Sequence, residues 1–156
     1  MTTGEHIDSL NPQKRDVFCT FITRVKAELG YNCVIVTSYR SLAYQDHLHK
    51  INPKNSTPGL SAHNYGFAID CNFIRGNDHL KKSSPKDAWI RSGIIAIANE
   101  CGLRWGGEFA TYYDPVHFDC VKPGFTQKWF AYLKQMYPNN WFNVAANKIN
   151  WKFYTD

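Results

Sequence analysis

Long apolar runs are missing from this 156-residue chain, and none approaches the ~20 residues that a membrane-spanning helix needs. Stable membrane insertion is therefore not expected. The N-terminal stretch Met1-Thr2-Thr3-Gly4-Glu5-His6 lacks the basic and apolar segments of a secretory signal, so the expectation is synthesis in the cytoplasm. Cysteine is sparse and badly spaced for structural chemistry. Cys19, Cys33, Cys71, Cys101 and Cys120 are odd in number and contain no C-x-x-C pair, which argues against a disulfide framework and against a thiolate zinc site. Cys19, Cys33, Cys71 and Cys101 lie among apolar neighbours and read as small core side chains. No local signature supports a Cys–His nucleophile. Basic runs and aromatic-basic motifs are absent too, so a nucleic-acid partner is not expected. There is no internal repeat and no low-complexity segment.

What is present is a globular composition, with 44% hydrophobic and 15% aromatic residues in a length suited to one domain, 1–156. The net charge of +5 is scattered along the chain and favours polyanionic surroundings only by long-range attraction. Asn11-Pro12 opens a helical pattern, as N-cap and first helical residue, that Val17, Phe18, Phe21, Ile22, Val25 and Leu29 continue and Gly30 stops. Cys33–Thr37 reads as a buried strand. Ser41 caps a short helix to about His49, and residues 50–62 form a loop rich in Pro, Asn and Ser. Gly66–Ile74 reads as a second strand. Ser84-Pro85 starts a helix with Trp89, Ile90, Ile94, Ile97, Ala98 and Cys101 on one face, ended by Gly102. A short strand at Leu103–Trp105, a turn at Gly106-Gly107, a strand over Val116–Val121 and a helix over Phe125–Tyr137 follow. Few strands separated by helices predict an α+β fold, a small mostly antiparallel sheet with helices packed on it. Residues 139–156 form an aromatic extension (Trp141, Phe142, Trp151, Phe153, Tyr154), expected to fold back onto the core.

Two stretches carry chemistry: Ser61-Ala62-His63-Asn64-Tyr65-Gly66-Phe67-Ala68-Ile69-Asp70, and Asp114-Pro115-Val116-His117-Phe118-Asp119. Strand alternation sets Gly66, Ala68 and Asp70 on one face, and His117 with Asp119 on another. If the two strands pair antiparallel, His63, Asp70 and His117 converge on one metal ion. Two imidazoles and a carboxylate suit Zn²⁺ with an open fourth position, although the same donors also fit non-haem iron. Asp119 is then placed behind a ligand, as acceptor for its second ring N–H. Asp114, held extended by Pro115, stands where a general base would work. Ser61 and Asp114 also fit as simple turn or cap formers.

With Ser38-Tyr39-Arg40-Ser41, Gln45 and Leu103-Arg104-Trp105-Gly106-Gly107-Glu108-Phe109 in the same order, these residues resemble the LAS-type zinc peptidases, which share a hedgehog/D-Ala-D-Ala peptidase-like fold. The WGG element is typical of the L-alanyl-D-glutamate branch; Phe109 stands where that branch often has tryptophan. The resemblance covers about Leu10 to Tyr137. It implies one Zn²⁺ on His63, Asp70 and His117, Asp114 as catalytic base, and Arg40 facing the cleft to hold the substrate. It also implies Ser61 and Gln45 as substrate-side hydrogen bonders and Trp105 as part of the cleft wall, although core packing accounts for that tryptophan equally well. The implied function is hydrolysis of the L-Ala–D-Glu bond of bacterial peptidoglycan by a monomeric phage endolysin, made in the host cytoplasm and released to the wall. Alternatives are a D-alanyl-D-alanine carboxypeptidase on the same scaffold, or a non-catalytic zinc- or peptidoglycan-binding module, which would have no need of Asp114.

Overall fold

The structure, a computed structural model, describes residues 1–122, 124–143 and 148–149. Its centre is an antiparallel sheet in the order β1-β2-β5-β4, built from β1 (Asn32–Thr37), β2 (Ala68–Arg75), β5 (His117–Asp119) and β4 (Arg104–Trp105); β3 (Asp78–Leu80) also pairs with β2. β2 is the long central strand. Its one edge pairs with β1 from Ile74 down to Asp70; elsewhere it pairs with β5 through Ala68–Asp70 and with β3 through Phe73–Arg75. The expected α+β class with a mostly antiparallel sheet and packed helices is what the chain forms.

Alternation decides what each face of β2 does. Ile69, Cys71 and Phe73 are fully buried and enter the main core. There they meet α2 (Arg15–Arg24), α4 (Lys86–Arg91) and α5 (Ile94–Glu100). Phe118 sits at the middle of this core, its ring centroid 5.0 Å from Phe21 and 6.2 Å from both Phe73 and Trp89. A second cluster gathers Tyr65, Phe67, Ala68, Leu133 and Ile149, with Phe125, Trp129 and Trp141 around it; Leu133 belongs to α6 (Phe125–Met136). Of the aromatic extension, Phe142–Asn143 (β6) pairs with Lys148–Ile149 (β7), and Ile149 is buried in that second cluster. Trp151, Phe153 and Tyr154 lie outside the described residues.

Several local expectations need correction. The first long helix begins at Arg15, because Asn11 forms a turn: its Oδ1 accepts from Gln13 N at 3.0 Å, and its own N–H donates to Gly66 O at 3.1 Å. A helix precedes it, α1 (Thr3–Asp8), held by a Thr2/Glu5 capping box that the T-x-x-E spacing would have signalled. β1 is an edge strand rather than a buried one, with Val34 44% and Val36 58% exposed, because only one of its faces meets the core. The expected helix from Ser84 to Gly102 is two, α4 and α5, broken at Gly93. That residue is left-handed (φ 86°), and a side chain there would press against Leu29. The break turns Ile90 out to 49% exposure. Cys19 is exposed rather than in the core, and all five cysteines are free thiols.

Candidate metal centre

The β2–β5 register places Asp70 directly across from His117, and Ala68 across from Asp119. His63 comes from a short 3-10 turn, Ala62–Tyr65, whose N–H at His63 is capped by Ser61 Oγ at 3.3 Å. Gly66, left-handed at φ 70°, ends this turn and lets the chain swing into β2. His63 is thereby folded back over the end of the strand that carries Asp70.

Three atoms meet as a result. His63 Nε2 lies 3.1 Å from Asp70 Oδ1 and 3.2 Å from His117 Nδ1, and His117 Nδ1 lies 3.1 Å from Asp70 Oδ1. Their outer partners fix the protons. His63 Nδ1 faces the carbonyl oxygen of Ser38 at 2.6 Å, which can only accept, so Nδ1 carries the hydrogen and Nε2 presents its lone pair. His117 Nε2 faces Asp119 Oδ2 at 2.8 Å, which can only accept, so Nε2 carries a hydrogen and Nδ1 is the nitrogen left to face an ion. Two imidazole nitrogens and a carboxylate oxygen thus lie 3.1–3.2 Å from one another, a donor set that suits a metal ion. Ligands held at ~2.0–2.1 Å by a tetrahedral zinc ion stand about 3.3 Å apart, close to the edges of this triangle. The residues therefore fit the metal that the family resemblance implies.

The electrostatics agree. Burial opposes charge on His117, yet hydrogen bonds to Asp119 and Asp70 outweigh it and push its pKa up to about 10. Burial also opposes the Asp70 carboxylate, but His63 and His117 keep its pKa well below the usual range. Asp119, fully buried, is held low by His117 and by Arg104, which grips both of its oxygens at 3.0 and 2.8 Å. Arg104 was not singled out from the sequence. Its signal is its position opposite Asp119 in the β4–β5 register, which cannot be read before the pairing is known.

A second support lies behind His63. Ser38, whose carbonyl orients that ring, is itself held by His6 Nδ1 and Ser9 Oγ, each 2.8 Å from Ser38 Oγ. The N-terminal helix thus fixes a carbonyl that fixes a metal ligand. Asp119→Asn should keep the fold, since the amide is nearly isosteric, and weaken zinc binding roughly ten- to a hundredfold by loosening the orientation of His117. Competition with a chromophoric chelator measures it.

The triangle opens into a cleft of about 770 Å³. Asp114 lines it, half-buried; burial first, and the charge of Asp70 second, raise its pKa above the usual carboxylate range. Its backbone is locked by Asp114 N donating to Gly106 O and Asp114 O accepting from His117 N, both at 3.1 Å. Gly106 is the hinge of this arrangement. A Cβ there would run into the Asp114 carbonyl oxygen and lie 2.9 Å from His117 Cβ. Gly106→Ala should cost about 1–3 kcal/mol of stability by overpacking and move Asp114 away from the triad. Thermal melting and the activity of the remaining folded protein check the two parts separately.

Arg40 lines the cleft with most of its side chain buried; it donates to Gln45 Oε1 at 2.9 Å and reaches Asp70 Oδ2 at 3.5 Å. Gln45 is 1% exposed and passes its amide to Ser56 O at 2.6 Å, so its main contact is with Arg40 and the loop rather than with open cleft. Ser61 stands at the cleft edge as cap of the His63 turn. Trp105 is not a cleft wall. It is 2% exposed, packs beside Trp89, and donates from Nε1 to Pro115 O at 2.8 Å, bracing the segment between Asp114 and His117 from behind.

Known proteins align with this picture. A family model described as D-alanyl-D-alanine carboxypeptidase matches residues 54–120, the stretch that carries all three donors and Asp114. The peptidoglycan L-alanyl-D-glutamate endopeptidase CwlK of Bacillus subtilis is 28% identical over 109 residues, covering 61% of this chain and 64% of that protein, so the match spans less than two thirds of the relative. Among solved structures, the L-Ala D-Glu endopeptidase ChiX of Serratia marcescens superposes with a TM-score of 0.57 at 22% identity over 76% of this chain and 86% of that one. VanYB in complex with D-alanine-D-alanine gives 0.52 at 16% identity, over 79% and 77%. The structural likenesses establish the fold. Taken with the donor triad and the sequence matches, they make the chain similar, in fold and in its candidate metal site, to D-Ala-D-Ala carboxypeptidases and L-Ala-D-Glu endopeptidases.

Proposed function

We propose that this protein is a zinc-dependent peptidoglycan endopeptidase that hydrolyses the L-Ala–D-Glu bond of the stem peptide, with Asp114 as general base. The observation that carries the reading is a half-buried carboxylate of raised pKa beside a converged His63–Asp70–His117 triad in one open cleft. The likeness to CwlK supports the choice of bond. Zinc, when bound, supplies a Lewis acid for the scissile carbonyl and brings the pKa of a coordinated water down to around ~7.

The chain's own residues do the rest. Asp114 takes the proton of the attacking water at its carboxylate and returns it to the leaving amine; a raised pKa suits both halves of that cycle. Arg40, steadied by Gln45, turns a guanidinium toward the same cleft and can hold a substrate carbonyl or carboxylate. Asp119 and Ser38 keep the two imidazoles from turning.

The carboxypeptidase reading stays beside this one because the family model over residues 54–120 carries that description. Incubation of the zinc-loaded protein with purified peptidoglycan, followed by mass spectrometry, separates them. New D-Glu amino termini are expected. Release of D-Ala alone transfers the activity to the carboxypeptidase, and no product from a zinc-loaded protein leaves a binding module. The endolysin role belongs to the same proposal: expressed inside cells, the chain should leave them intact until the membrane is permeabilised, and then lyse them.

A further inference from the structure

The cleft is lined by five cationic side chains, Arg40, Lys54, Lys81, Lys82 and Arg104, against three acidic ones, Asp70, Asp114 and Asp119. Two of the cations are committed. Arg40 lies against Asp70 and Gln45, and Arg104 holds Asp119. Lys82 is different. Among the described residues no carboxylate stands within 4.0 Å of its Nζ, which lies 5.5 Å from the centroid of the Tyr112 ring, another cleft residue.

The backbone under Lys82 is unusually well held for an exposed turn. Lys81 N donates to Ser84 Oγ at 3.0 Å and Ser84 N to Lys81 O at 2.9 Å, which closes the turn Lys81–Ser84. Fully buried Trp89 donates from Nε1 to Lys81 O at 3.3 Å, and Tyr113 O–H donates to Ser84 O at 2.8 Å. The turn is thus tied on one side to the core and on the other to the segment that delivers Asp114. The Tyr112 contact first, and the nearby Asp114 charge, raise the pKa of Lys82 against the cost of partial burial. A turn whose backbone is already fixed beside the cleft needs little further backbone ordering when a ligand arrives.

The proposed substrate supplies a matching anion. In an L-Ala–D-Glu stem the chain leaves D-Glu through its γ-carboxyl, so a free α-carboxylate sits on the carbon next to the scissile nitrogen. The same relation holds in D-Ala-D-Ala, whose leaving amine also carries an α-carboxylate on its carbon. From the geometry we infer that Lys82, braced by Tyr112, is a specificity-determining residue that binds the α-carboxylate of the residue whose amine departs, leaving Arg40 for the other side of the scissile bond. This rests on the peptidase reading above.

Two synthetic peptides test it with the zinc-loaded chain: N-acetyl-L-Ala-γ-D-Glu-L-Lys, and the same peptide with the D-Glu α-carboxylate replaced by a carboxamide. The unaltered protein should prefer the carboxylate peptide roughly ten- to a hundredfold in kcat/KM, as one charge-assisted hydrogen bond would give, and chiefly through KM. Lys82→Met should lose that preference, Lys82→Arg should recover part of it, and Lys26→Met, which removes the same charge outside the cleft, should keep it in full. Cleavage of both peptides without discrimination by the unaltered protein, or a preference that survives in Lys82→Met, overturns the subsite and leaves the peptidase standing. If the unaltered protein cuts neither, N-acetyl-L-Lys-D-Ala-D-Ala and its C-terminal amide repeat the comparison for the carboxypeptidase, and failure there overturns both readings.

Discussion

Asp114→Asn keeps the metal and loses about 10²- to 10⁴-fold in kcat, the range that a positioned general base contributes. The two halves of that expectation have separate grounds. Metal retention follows because Asp114 is not among the three converging donors, which among the described residues are His63, Asp70 and His117. Loss of turnover follows because an amide of the same size cannot take a proton, while the backbone bonds to Gly106 and His117 that locate residue 114 do not involve its side chain. KM should change little, since in the proposed role the carboxylate acts on the water and the leaving amine rather than on substrate binding. Zinc content by atomic spectroscopy and single-peptide kinetics measure both halves. A variant with full zinc and full kcat removes Asp114 from the chemistry and returns it to the role of a turn residue.

The site was more legible from the sequence than the helices were, and the reason lies in how far each signal reaches. Alternation over Gly66–Asp70 and Val116–Asp119 is a local property of two strands, so the face carrying Asp70 and the face carrying His117 could be stated before any pairing was known. What alternation cannot give is register. That Asp70 lies opposite His117, and Arg104 opposite Asp119, depends on which strands meet. Arg104, His6 and Ser38 were therefore invisible as supports, although each touches a ligand or a ligand's partner. Trp105 left two readings open, cleft wall and core packing, and the second holds. Its motif resemblance suggested a cleft wall, but an indole beside Trp89 with its N–H on Pro115 O is satisfied inside the core. The break at Gly93 has the same origin: periodicity ran on through Ile90 and Ile94, and only contact with Leu29 shows why the chain must turn there.

Zinc uptake at pH 7 should release close to one proton, and chelation should abolish activity and lower the melting temperature together. In the metal-free site His117 is flanked by Asp70 and Asp119 with a pKa pushed up to about 10, so at neutral pH the ring is an imidazolium. A metal ligand must be neutral imidazole, and that proton has to leave. Isothermal titration in two buffers of different ionisation enthalpy reads the number directly; a value near zero would mean that His117 is already neutral and that the carboxylates are balanced by Arg40 and Arg104 instead. The sign of the pH effect on the metal-free chain is set by the same group. A folded pKa above the ordinary 6.5 of histidine means that protonation of His117 contributes stability fully below about 6.5 and that this contribution disappears as pH rises through about 10. With zinc present the dependence reverses at the acid end, because protons then compete with the ion for the same nitrogen. Zinc at a hundred times its dissociation constant adds about 2.7 kcal/mol to the folded state, enough to move the melting temperature by several degrees. Chelated protein melted from pH 6 to 10 should lose stability toward the alkaline end, whereas zinc-loaded protein should lose it toward acid.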